Sequence, residues 1–218
     1  VTLSKSVPAE DFATFWQKVA ASLHRWCRHA EVPIHFTVLD AGSNQPARTA
    51  RADTPLDVRA VISVRQKFED MEIVVGPIAA SGTLPKAGTG EDEPAPFAGF
   101  YNRGLTLHET TECLRDRLGA VRVKVSSSRL RHTLSRDDVR RDDAFHLALA
   151  RAVRLSTNEL RVAVLRGLAK EAEIAGAARE IDRTGAQMQR LADLLAVATQ
   201  HPVYASLDEL RLPIAHPV

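Results

Sequence analysis

Arg136 is the residue whose type and setting most suggest chemistry. It lies in Leu134-Ser135-Arg136-Asp137, between a strand-like run at Ala120–Ser126 and the start of a long helical pattern. A guanidinium is always charged and offers forked donors that pair bidentately with phosphate oxygens. A helix start adds unpaired N–H groups that favour an anion. The position therefore suits an arginine facing phosphate, or one paired with a neighbouring carboxylate near the helix start. Around it Arg115, Arg117, Arg122, Lys124, Arg129, Arg131, Arg140 and Arg141 crowd one stretch, opposed within it only by Asp116, Asp137 and Asp138. That excess serves either an anion or a solvated basic surface.

Other reactive side chains form no recognisable set. His108, His132 and His146 have spacings that match no metal site and read as surface or cap histidines. Asp137, Asp138, Asp142 and Asp143 are explained by capping and the helix dipole, so no metal is assigned to them. Gly88-Thr89-Gly90 lacks the Gly-Lys-Ser/Thr ending of a nucleotide loop. Cys27 and Cys113 are the only cysteines, too far apart in sequence for a zinc pattern or a disulfide framework. They read as small buried apolar residues in a reducing cytoplasm. No Ser-His-Asp or Cys-His grouping is legible.

The elements that must position these residues follow from periodicity. Phe12, Phe15, Trp16, Val19, Leu23, Trp26 and Cys27 recur at helical steps over Ala9–Ala30, with Pro8 in the first turn and both tryptophans on the core face. Pro33–Leu39 alternates as a strand, and Ala41–Pro55 reads as a polar loop. Val58–Val64 and Met71–Ile78 are expected as strands around a turn at Glu69-Asp70. Ser81–Pro96 is rich in Gly and Pro and reads as a loop. Phe97–Leu107 is a strand broken at Gly99 or Gly104, Thr110–Leu118 a short helix, and Ala120–Ser126 a strand. From Asp137 onward helix dominates, with Ser156-Thr157-Asn158-Glu159 capping a second helix and breaks at Gly176 and Gly185. His201–Val218 reverts to irregular chain.

The order predicts an α+β fold: a mixed β-sheet with helices on one face, followed by a helical C-terminal part. An apolar share of 44% is that of an ordinary globular protein, and a net charge of +2 predicts no bulk affinity for nucleic acid or membrane. No apolar run reaches the roughly 18–20 residues that span a bilayer, and no signal peptide is seen. A chain opening on Val1 is expected to be an excised piece of a longer protein.

Four segments, in order, resemble the middle domain of HtpG-type heat-shock chaperones, which are GHKL ATPases. Ser22–Phe36 is similar to the helix-to-strand passage that opens that domain. Val1–Ala13 looks like the closing strand and exit of the preceding ATPase domain. Phe97–Glu109 resembles the strand after a long variable insertion, and Val123–Val139 the loop ending in Leu/Val-Ser-Arg-Glu, with Asp137 for Glu. The likeness covers most of residues 1–155 and thins in the helical tail.

The resemblance implies a closing strand of the ATPase domain over 1–7 and a ribosomal-S5-domain-2-like middle domain over 8–155, with 81–96 as its variable loop. Residues 156–218 become a helical extension and irregular tail. It further implies that Arg136 reaches the γ-phosphate of ATP, with Mg, held by a separate N-terminal domain of the same parent chain. Client proteins and a homodimer of the parent are the other implied partners, in the cytoplasm, with no membrane and no nucleic acid. The family carries a glutamine four residues after the arginine. Here Arg140 stands in its place, so the glutamine's role does not transfer, and Arg140 either adds charge to the nucleotide site or faces solvent. The segment alone is expected to lack a nucleotide site and activity. Two other readings remain: a transducer-type domain of a nucleic-acid-acting GHKL ATPase, and a scaffold with no nucleotide link.

Overall fold

The computed structural model describes residues 8–39, 46–78, 97–112, 118, 121–135, 137–177 and 185–200. Helix α1 (Ala9–Trp26) leads to a hairpin of β1 (His35–Leu39) and β2 (Pro46–Arg51). A second sheet contains β3 (Val64–Lys67), β4 (Met71–Pro77), β5 (Ala98–Asn102), β6 (Leu105–Thr110) and β7 (Val121–Ser127). Its order is β3-β4-β7-β5-β6, antiparallel throughout except where β5 runs parallel to β7. Helix α2 (Asp143–Arg154), a π-helical turn (Leu155–Leu160), α3 (Arg161–Ala177) and α4 (Gly185–Gln200) complete the described chain. The class is α+β, with a mixed five-stranded sheet.

Alternation along the strands separates the sheet's faces. Ile73, Val75, Val121, Val123, Val125 and Phe100 point to one side. There they form a single core with Phe145, Ala148, Leu149 and Ala152 of α2. Leu155, Leu160, Val164, Leu168, Leu194 and Val197 belong to the same core, so packing does not break at residue 155. The opposite face carries Val74 and Tyr101, covered by Leu56 and Val58. Gly76 permits this cover, since a Cβ there would lie 2.6 Å from Cβ of Ala60.

Several sequence expectations need correction. Pro46–Arg51 lies inside the expected polar loop yet is a strand, its polar residues being tolerated because it pairs only with β1 in a two-stranded hairpin. Val58–Val64 is not a strand before Val64. That apolar run instead wraps the sheet, with Val58 packed on one face and Val61 and Ile62 against the other core. Pro8 sits at the N-cap of α1 rather than within its first turn, and Trp26 is 45% exposed, stacked by the Arg25 guanidinium at 5.3 Å, instead of buried. Cys27 is half-buried.

Ser156–Glu159 caps no new helix. It continues α2 as a π-helical turn, in which the Thr157 hydroxyl donates to Val153 O at 3.0 Å while Leu155 and Leu160 stay buried. The break in Phe97–Leu107 falls at Arg103-Gly104; Gly176 lies within α3 and Gly185 within α4, and residues 178–184 between them lie outside the described residues. Residues 1–7, 81–96 and 201–218, Cys113, and most of the expected 110–118 helix lie outside the described residues.

Candidate functional site

The chain between β7 and α2 is built from its own polar side chains. After Ser127 the backbone turns, buries Leu130, and forms a bridge between His132 and Val139. Within the bridge Thr133 N–H donates to Asp138 O at 2.9 Å. The Thr133 hydroxyl donates to Asp137 Oδ1 at 2.9 Å, and the Ser135 hydroxyl donates to the same oxygen. These bonds, the Ser135 one foremost, hold the Asp137 carboxyl below its usual range. Val139 is buried below the turn, whereas Leu134 at its top is fully exposed.

This arrangement corrects one expectation. Helix α2 does not begin beside Arg136. Its N-cap is Asp142, whose carboxylate accepts from Phe145 N–H at 3.3 Å, and its first residue is Asp143. The unpaired N–H groups of a helix start are thus taken up six residues further on, because Asp137 and Asp138 close the turn instead of capping. Arg136 itself lies outside the described residues, between Ser135 and Asp137, which are both exposed. Arg140 is largely exposed; its Nε stands 3.8 Å from Asp142, and its N–H donates to Arg131 O at 2.8 Å.

The basic stretch does not assemble into one patch among the described residues. Arg129 pairs with Asp70 at 2.7 Å, and Arg141 approaches Asp138 at 3.8 Å. Arg122 extends over the opposite face toward Arg59 O, its pKa lowered by burial and then by the Arg59 charge. Lys124 is buried altogether.

Burying Lys124 requires a network that the sequence did not reveal. Its Nζ is 2.9 Å from His29 Nε2, while His29 Nδ1 is 2.9 Å from Thr54 O. A carbonyl can only accept, so Nδ1 carries the imidazole proton and Nε2 accepts from the lysine. Burial, reinforced by the Lys124 charge, pushes the His29 pKa down to about 3. Burial also lowers Lys124 to about 8, against the partial support of Glu109. Glu109 accepts from the Tyr101 hydroxyl at 2.5 Å and from Arg28 at 3.3 Å. Tyr101 is pushed upward, by burial first and then by the Glu109 charge, and stays a donor.

Two glycines make this geometry possible. At Gly99 a Cβ would sit 2.3 Å from the Tyr101 hydroxyl, so a side chain there would displace the phenol from Glu109. Gly104 takes φ 79° after Arg103 at 48°, the pair of positive φ values that a two-residue hairpin turn demands. A Cβ on Gly104 would lie 1.6 Å from His29 O, so its absence lets the turn close on His29. The sequence hint was Arg103-Gly104 between apolar runs; long-range pairing of Arg28 and His29 with β5–β7 had no local signature.

A cleft of about 680 Å³ opens beside His29, lined also by Arg51, Asp53, Arg65, Glu72 and Arg103. Among its charges Arg51 pairs with Asp53 at 2.6 Å and Arg65 with Glu72 at 2.5 Å. The described residues contain no group of three or more His, Cys, Asp or Glu placed to hold a metal. Among them, too, no helix is long and apolar enough to cross a membrane. No family model matches the chain, and no curated protein is found to match it.

Proposed function

We propose that the chain is the middle segment of an HtpG-like, ATP-dependent molecular chaperone. Its fold is then a divergent ribosomal-S5-domain-2-like domain carrying helices. Its task is to supply Arg136 to ATP and Mg bound in an N-terminal GHKL domain of the same parent chain. The observation that carries this reading is the loop between β7 and α2. Bridged at its base, with Leu130 and Val139 in the core and Leu134 in solvent, it is a fixed turn with an outward apex. An arginine carried by this loop is suited by its chemistry to a phosphate lying outside its own domain, where it would stabilise charge developing during hydrolysis.

Arg140, on the same loop and 3.8 Å from Asp142, serves as a secondary source of charge. The nucleic-acid-directed alternative calls for a lysine reaching the nucleotide; Lys124, engaged with His29 inside the domain, is not available for that. Client binding, a dimeric parent and a cytoplasmic setting follow from the chaperone reading. The test compares ATP binding by this 218-residue chain and by the full-length gene product, using a fluorescent ATP analogue. Binding confined to the full-length product is expected. Tight binding by this segment alone, or none by the full-length product, refutes the proposal.

A further inference from the structure

Arg122 carries its charge into the fold without a counter-charge. As the second residue of β7 it alternates with Val121 and Val123 of the core, and so faces the side of the sheet opposite the helices. Its Nε–H is buried and has no acceptor, and its Nη1 donates to Arg59 O at 3.4 Å. Among the described residues neither Arg59 nor Arg122 forms an ion pair. A buried charged donor left without an acceptor is costly. Burial, and then the Arg59 charge, lower the Arg122 pKa, so the two cations lie close enough to repel. The sheet enforces this approach. Gly76 stands opposite Arg122 in β4, and a Cβ there would come within 2.6 Å of Ala60 and 2.8 Å of Val58. With no side chain in the way, Val58 and Ala60 settle on the strand. Arg59 between them has φ 47°, an uncommon left-handed backbone for a residue with a Cβ. Its carbonyl meets Arg122 while the residue itself stays exposed.

Nearby carboxylates do not offset these charges. Glu109 is taken by Tyr101 and Arg28, and Asp57, exposed two residues before Arg59, pairs with neither arginine. Lys124, next on the same face of β7, adds a third cation; its pKa is lowered by burial and further by the Arg28 and Arg59 charges. We propose that Arg59 and Arg122 form a binding site for a phosphate dianion, either free phosphate or the phosphoryl group of a small ester. Two guanidiniums call for two negative charges, and their forked N–H groups match phosphate oxygens. The Arg122 Nε–H gains the acceptor it lacks. The site lies at the start of β7, whereas the loop assigned to ATP leaves its end, so it stands independently of the role proposed for Arg136.

The test titrates the 218-residue chain with inorganic phosphate, chloride holding the ionic strength constant, while arginine Nε–H signals are followed by proton–nitrogen correlation NMR. The Arg122 signal should move and saturate with a Kd of about 1 mM, and about 10 mM phosphate should raise Tm by about 4 °C. Arg59→Gly removes one guanidinium and suits the left-handed backbone, so it leaves the fold intact and should weaken binding about tenfold. Arg122→Met keeps the apolar stem and should abolish the Tm rise. An Arg122 Nε–H signal that ignores phosphate overturns the proposal. So does a Tm rise that survives both substitutions, which marks general stabilisation by the salt. Acetate binding as tightly as phosphate overturns the assignment to a dianion. Glycerol phosphate separates the sources: binding equal to that of inorganic phosphate supports an ester, and binding of inorganic phosphate alone supports the free ion.

Discussion

Replacing Lys124 by Met should remove an alkaline rise in stability that the native chain possesses. The lysine is 7% exposed, and its ordinary value of 10.5 is lowered to about 8, chiefly by burial. The unfolded chain therefore binds this proton more tightly than the folded one between about pH 8 and 10.5. Stability rises with pH wherever the unfolded state holds more protons. Below about pH 8 the charged amine is buried at full penalty, and above it the neutral amine still donates to His29 Nε2. At about 1.4 kcal/mol per pH unit, the gap corresponds to about 3 kcal/mol. Met keeps the unbranched apolar stem and has no proton to lose. Urea unfolding of both proteins from pH 7 to 10.5 isolates this contribution, because titrating groups that do not interact with Lys124 cancel in the difference. The native-minus-variant difference should grow by about 3 kcal/mol across that range. Parallel pH profiles would show that the amine is not desolvated against a neutral histidine, and the account of the network would fail.

Gly104→Ala should destabilise the chain by more than about 3 kcal/mol, because a methyl group there meets His29 O at 1.6 Å in a left-handed backbone; denaturant midpoints check it, and a loss under about 1 kcal/mol contradicts the close approach. Phe145→Ala, which removes the ring packed at a tilt against Phe100 with centroids 5.1 Å apart, should cost about 3–5 kcal/mol and preserve a single unfolding transition. Two transitions would mean that the helices and sheet do not share one core.

Where neighbouring residues dictate structure, the sequence was legible. The period of α1, the apolar runs of β4 and β7, and the turn at Glu69-Asp70 follow from local pattern. Misreadings arose where distant contacts decide. Val58–Ile62 has the composition of a strand, yet its side chains pack against two faces of the sheet instead of joining a ladder. Pro46–Arg51 has no apolar stripe, and as one arm of a two-stranded hairpin with β1 it does not need one. Asp137 and Asp138 look like first-turn residues of a helix, but the Thr133 and Ser135 hydroxyls and His108 recruit them to a closed turn. Lys124 looked like part of a basic surface; only the fold brings His29 beneath it from 95 positions away. The resemblance that suggested a role for Arg136 rests on motif order, which local physics alone does not supply.

Turnover of ATP by the full-length gene product carrying Arg136→Ala, measured with nucleotide affinity in the same variant, bears most directly on the proposed role. A guanidinium lent to the γ-phosphate predicts a fall in kcat of roughly 100-fold with affinity for ATP changed by no more than a few-fold. Undiminished turnover would contradict it.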